Sequence, residues 1–337
     1  MGTLERMNAR FETGRRVETS LGSGTAVTFL IGCTGCGKGA VARALVPRVG
    51  GEIVSLDSMK VYRRMDIGTA KPPAELRRRI PHHLIDVVEP SEDFSVARYV
   101  ELAEAAIADI RRRGKPVFVV GGTPLYLKAM LEGLFEGPGA DPAIRRRLHD
   151  EAERIGSEGL HARLQKVDPQ AADRIHPNDL RRIVRALEVY ERTGRPISTL
   201  QAQWDRGSMR SDALLIGLRR ARADQNHRTN LRVHRMIEAG WVDEVRALLA
   251  ESKPLSRTAR QALGYAELIE HLQGRLSLAD AVEMIKIRTR RLSKAQRTWF
   301  RRFGRIEWTD LEADDDPRQV AERLLARYGA RWSPSPR

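Results

Sequence analysis

The first third of the chain alternates short apolar runs with amphipathic stretches. Val27–Ile31 is β-branched and apolar. Gly32–Gly37 interrupts that run, and Ala40–Val46 has helical composition. Glu52–Leu56 reads as a second strand ending at Asp57, and His83–Val88 as a third. Ala97–Arg112 has helical spacing, and Pro116–Val120 is a fourth strand ending at Gly121-Gly122. Strand and helix in repetition predict an α/β fold, a parallel sheet covered by helices on both faces.

The pattern changes after Gly133. The Gly- and Pro-rich stretch Phe135–Pro142 reads as a boundary. Helices alone are predicted from Asp141 to Gly194: a start at Asp141-Pro142, polar amphipathic stretches at Arg145–Arg154 and Leu160–Val167, and a third at Asn178–Arg192. Ala213–Leu218 returns to the sheet, and helices follow at Asn226–Ala239, Val242–Glu251, Arg260–Gln273 and Leu278–Arg302. The expected organisation is a disordered leader (1–24), a core whose first part is 25–135, an all-helical insertion (136–205), the second part of the core with C-terminal helices (206–310), and a tail (311–337) with disordered last residues.

Composition narrows the function. The chain carries 59 Lys and Arg against 44 Asp and Glu, a net charge of +15, which points to a polyanionic partner. A high-arginine composition alone could produce the same excess, but the arginines cluster at 181–185 and 288–302. No apolar run is long enough to span a bilayer and no signal peptide opens the chain, so the expected location is the cytoplasm. The only cysteines, Cys33 and Cys36, have C-x-x-C spacing, but no second such pair exists to complete a zinc site.

Gly32-Cys33-Thr34-Gly35-Cys36-Gly37-Lys38-Gly39 matches the phosphate-binding loop G-x-x-x-x-G-K and misses its last position, where Ser or Thr is usual. Glycines let backbone N–H groups converge on phosphate oxygens, the following helix presents its positive end, and Lys38 adds a point charge. The fold class is therefore P-loop NTPase-like, and the usual guess from the loop alone is a nucleotide such as ATP. The missing hydroxyl is the one that ordinarily ligates Mg²⁺. Asp57 ends a strand in this sheet and faces the ligand crevice, as metal ligand, proton acceptor or simple turn cap. Gly121-Gly122-Thr123 would let backbone approach a ligand closely.

Gly32–Lys38, Asp57–Tyr62, Met65–Pro72, Gly121–Tyr126, Asn178–Tyr190 and Lys294–Phe300 together resemble the tRNA dimethylallyltransferase (tRNA isopentenyltransferase) family, over roughly Thr25 to Phe303. The strings Met65–Pro72 and Arg182–Tyr190 are the most specific. The resemblance implies transfer of a five-carbon group from dimethylallyl diphosphate to the exocyclic amine of the adenosine 3′ of the tRNA anticodon. It implies that the P-loop holds the donor's diphosphate, that Asp57 is the general base, that Thr123 hydrogen-bonds near the reacting centre, and that Arg232 clamps the departing diphosphate. Contacts to the tRNA anticodon stem-loop fall by similarity on Asp57, Ser58, Met59, Lys60, Thr123, Arg145, Arg181, Arg182, Arg185, Gln261, Gly264 and Tyr265. Mg²⁺ is implied through the diphosphate, without a dedicated protein cage. A monomer is expected.

The sequence also departs from the family. Cys33-Thr34-Gly35-Cys36 replaces Pro-Thr-Ala-Ser, Gly39 replaces Ser or Thr, and Gln225-Asn226 replace apolar and aromatic residues before the arginine helix. Reduced Mg²⁺ dependence or lower activity is the expectation. The alternatives are a P-loop kinase of a small metabolite and a tRNA-binding relative without turnover.

Overall fold

A computed structural model of the chain describes residues 26–134, 137–205 and 210–332, with side chains omitted at 202–205. The expected leader and the last residues of the tail lie outside this range, as do residues 135–136 of the boundary. Six parallel strands form one sheet in the order β3-β2-β4-β1-β5-β6. They are β1 (Val27–Ile31), β2 (Glu52–Leu56), β3 (His82–His83), β4 (Val117–Gly121), β5 (Ala213–Arg220) and β6 (Glu307–Leu311). Every residue of β1 and β2 is buried, because a parallel sheet carries helices on both faces and offers no polar side.

One face carries Phe29, Ile31, Val54, Leu56, Val117 and Val119 against the helices Val96–Arg112, Pro124–Glu132, Trp241–Leu249, Tyr265–Leu272 and Leu278–Phe300. The opposite face carries Leu30, Ile53, Phe118, Ile216 and Leu218 against Lys38–Leu45 and Pro317–Tyr328. A separate apolar cluster, including Leu148, Leu160, Ile183 and Leu187, holds the helices from Pro142 to Asp205 together. The two polar stretches expected there are one helix, Pro142–Val167, kinked where Gly156 takes φ 76°.

Three expectations are corrected. The third strand does not run His83–Val88: it is cut back to His82–His83, because Leu84 and Asp86 adopt left-handed φ of 63° and 57°, and beyond it an isolated bridge joins Tyr62 to Val88. Arg260–Gln273 is not one helix: it breaks into Arg257–Arg260 and Tyr265–Leu272 around Gly264 at φ 90°. The tail expected from 311 carries structure as far as 332: β6 closes at Leu311, the Pro317–Tyr328 helix packs on the sheet, and Trp332 buries its ring against Phe118 while its indole N–H donates to Thr28 Oγ1 at 2.8 Å.

Candidate active site

The P-loop leaves the buried end of β1 and enters the Lys38–Leu45 helix. Gly35 and Gly37 sit at φ 83° and 95°, a region that side chains disfavour. The loop is held from outside through its carbonyls. Arg220 Nε donates to the Cys36 carbonyl at 3.1 Å, and Gln225 Nε2 donates to the Thr34 carbonyl at 2.5 Å. The Thr34 amide donates to Gln296 Oε1 at 2.8 Å, and Gln296 Nε2 reaches the Gly122 carbonyl at 2.6 Å. The amides of Gly35, Gly37, Lys38 and Gly39 have no acceptor among the described residues. Loop amides without an internal acceptor are the donors such a motif offers to an anion. Lys38 Nζ rests on the Cys33 carbonyl at 3.2 Å. Cys33 and Cys36 are buried and unpaired, and burial pushes the Cys33 thiol up. Among the described residues no group of His, Cys, Asp and Glu is arranged to hold a metal.

Asp57 follows β2 and opens a tight turn, with its Oδ1 accepting the amides of Met59 at 2.9 Å and Lys60 at 3.3 Å. Thr123, at the end of β4, accepts the Ser58 amide on its hydroxyl at 3.2 Å. Thr123 thus locks the two strand ends together and positions the Asp57 turn. Arg232 comes from the Arg222–Glu238 helix and donates to Thr34 Oγ1 at 2.9 Å. Its Nε is buried without a partner, an orphaned donor beside the P-loop. Burial pulls the Arg232 guanidinium below its ordinary value, opposed by the Asp57 carboxylate. Burial likewise lowers Lys60, and the positive charges of Lys38, Arg232 and Arg43 lower it further.

Thr34, Asp57 and Arg232 line a cavity of about 130 Å³. The rest of the lining is largely apolar, with Met59, Val233, Met236, Trp241, Leu263 and Ile285. Trp241 fixes the shape of the wall around it. A Cβ on Gly68 would come within 2.1 Å of its Nε1, and one on Gly264 within 2.0 Å of its ring. Both glycines are therefore required by the indole between them, which also explains the broken helix. Glu244 accepts the amides of Asp66, Ile67 and Gly68 and the hydroxyl of Tyr265 at 2.6 Å, tying the Met65–Pro72 loop to the cavity wall. Lys71 of that loop is consumed by ion pairs to Asp66 and Asp86.

The residues matched to tRNA contacts separate into groups. Arg181 and Arg182 are exposed on the Leu180–Thr193 helix, and Arg182 makes only a 3.3 Å pair with Asp179. Arg145 and Arg185 instead turn inward onto Glu188, which is fully buried, at 2.9 and 2.7 Å. Gln261 is exposed, Gly264 packs under Trp241, and Tyr265 is buried in the cavity wall. Phe300 is core, whereas Lys294 and Arg297 line a second, basic cavity of about 230 Å³ with Arg222, Arg290 and Arg291.

Gln225, Gln296 and Arg43 were not singled out for roles at the site. Gln225 stood out only as a departure, and its reason is now visible: buried, it braces Thr34, Ser293 and Arg297 together. Gln296 left a weak trace, one amide in a basic helix. Arg43 left none.

The match to the family described as IPP transferase runs over residues 60–303. A tRNA dimethylallyltransferase of Geobacter metallireducens is 49% identical over 292 residues, 87% of this chain and 94% of that one. Another from Symbiobacterium thermophilum is 48% identical over 307 residues, 91% of this chain and 96% of that one. The full-length tRNA isopentenylpyrophosphate transferase of Bacillus halodurans superposes with a TM-score of 0.67 at 37% identity, covering 91% of this chain and 97% of that one. A eukaryotic dimethylallyltransferase acting on tRNA gives 0.72 at 29% identity, covering 90% and 79%. With a P-loop braced for an anion, an acid and an arginine at one cavity, and relatives this similar over most of their length, the chain belongs to the IPP transferase family of tRNA dimethylallyltransferases.

Proposed function

We propose that this protein transfers the dimethylallyl group of dimethylallyl diphosphate to the N6 amine of the adenosine 3′ of the anticodon in tRNA, releasing pyrophosphate. The observation that carries this reading is the mixed lining of the cavity. Thr34, Asp57 and Arg232 suit a diphosphate and a departing proton. The apolar side chains that make up most of the remaining lining suit a hydrocarbon chain and the face of an adenine.

In this reaction the bond from the allylic carbon to the diphosphate oxygen breaks, and its electron pair leaves with the diphosphate. The adenine amine forms the new nitrogen–carbon bond and gives its proton to the Asp57 carboxylate. The turn that caps Asp57 Oδ1 holds that carboxylate at the cavity. The free loop amides, Lys38 and Arg232 receive the charge that grows on the leaving group, as preorganised donors do. An adenine inside a stacked anticodon loop must be extruded to reach a half-buried carboxylate in a cavity. A magnesium ion would add charge neutralisation on the diphosphate, but position 39 supplies no oxygen for it and the residues there do not fit that role.

The test is to incubate the protein with tRNA and either dimethylallyl diphosphate or ATP, then analyse digested tRNA by mass spectrometry. The expected result is one dimethylallyl group on the adenosine with the first donor only. ATP consumption without modified tRNA would overturn the reading.

A further inference from the structure

Position 39 lacks the hydroxyl common to such loops, and the space it leaves is taken. A Cβ built on Gly39 would lie 3.2 Å from Arg43 Nη1. Residues four apart share one face of a helix, and side chains lean toward its N-terminus, so Arg43 lays its guanidinium back over the first turn of Lys38–Leu45. Arg43 is half-buried, and no hydrogen bond or ion pair engages it among the described residues. Lys38, Lys60 and Arg232 share the neighbourhood, with Asp57 the acid in it. Neutralising so many partly buried cations with one carboxylate leaves a positive surplus that an anion must satisfy. Arg232 Nε, buried and unpaired, has the same need.

We infer that Arg43 replaces the missing hydroxyl and its metal: the guanidinium spreads over Gly39 and binds the donor's diphosphate directly, so that this loop holds a diphosphate without magnesium. A guanidinium is suited to the task, being always charged and able to bridge two phosphate oxygens at once. Gly39 is then permissive, since even a Cβ there would lie 3.2 Å from Arg43 Nη1 and make the guanidinium give way by a few tenths of an ångström.

The inference rests on the reading of the loop as a diphosphate cradle, and calorimetry separates the two. The whole protein is titrated with inorganic pyrophosphate, once in EDTA and once in excess Mg²⁺. Binding in EDTA is expected for the unaltered chain, weakened about 10-fold or more by Arg43→Ala and by Arg43→Gln, and only partly restored by Arg43→Lys, which keeps the charge but not the fork. Thermal melting of each variant shows that the fold is kept; Arg43→Gln preserves the length of the side chain should the alanine variant not fold. In Gly39→Thr/Arg43→Ala, binding should return only with Mg²⁺. Metal-free binding by Arg43→Gln as tight as in the unaltered chain would overturn the role of Arg43. So would an unaltered chain that binds pyrophosphate only with Mg²⁺, although the cradle itself would stand. No pyrophosphate binding under either condition would instead remove the cradle.

Discussion

In the proposed reaction Asp57 and Arg232 divide the chemistry at the scale of single residues. Replacing Asp57 by Asn keeps the turn caps but removes the proton acceptor, so turnover should fall about 10²–10⁴-fold while tRNA affinity in a filter-binding assay stays within twofold. Substantial prenylated product from this variant would take Asp57 out of the mechanism. Thr123 accepts the Ser58 amide on its hydroxyl and keeps its own O–H for donation, so Thr123→Val should let the Asp57 turn drift as well as remove a donor from the site. Asp57 was legible because it ends a strand in a P-loop sheet, a position that fixes direction as well as place. Arg43 was not legible, because its meaning depends on an absence four residues away that only coordinates turn into a space.

Among the elements, the arginines of the helical insertion show how far spacing carries and where it stops. Arg181, Arg182 and Arg185 lie on one helix, but one turn moves the third onto buried Glu188. Arg182→Ala should flatten the salt dependence of tRNA binding by about one unit of slope, read from affinities at several salt concentrations. Arg145→Ala should leave that slope closer to unchanged and lower the melting temperature, because it strips a partner from a buried carboxylate. The Trp241 clasp sets a second contrast. Gly264→Ala places a methyl inside the indole and strains a left-handed residue, a loss of about 2–5 kcal/mol measurable by denaturant unfolding. Periodicity could not foresee this break, since Arg260–Gln273 carries helical spacing on both sides of Gly264 and the tertiary contact decides.

For the whole molecule, the sheet is anchored at the far end of β2 from the site. Glu52 is buried and receives Arg113, Lys115 and His83. The hydrogen bond from Arg113 first, then those from Lys115 and His83, hold its carboxyl far below the usual range against the opposing pull of burial. A depressed carboxylate contributes stability that is complete above about pH 4.3 and is lost as pH falls toward the folded-state value. Glu52→Gln should therefore lower stability near neutral pH by about 1–3 kcal/mol and flatten the acid limb of a melting-temperature profile. An acid limb unchanged by the substitution would show that Glu52 is not the linked group. The central strands were readable because β1, β2 and β4 are short, apolar and run into glycine or aspartate. The sixth strand was hidden in Glu307–Leu311, whose edge position leaves it half-exposed and too polar to announce itself.

The brace from Gln296 to the P-loop gives the site a place in time as well as in space. The amide of Thr34 waits for a partner 262 residues further along. At roughly 5–20 residues per second of synthesis, the loop leaves the ribosome on the order of tens of seconds before the helix that steadies it. Until then the nascent chain carries the phosphate motif and the start of the sheet without a finished cradle. A prematurely terminated product ending in the helical insertion would carry exposed Arg181 and Arg182 but lack Gln296, and with it the brace on the loop. If the proposed tRNA contacts hold, such a fragment should compete for tRNA rather than act as a weak enzyme.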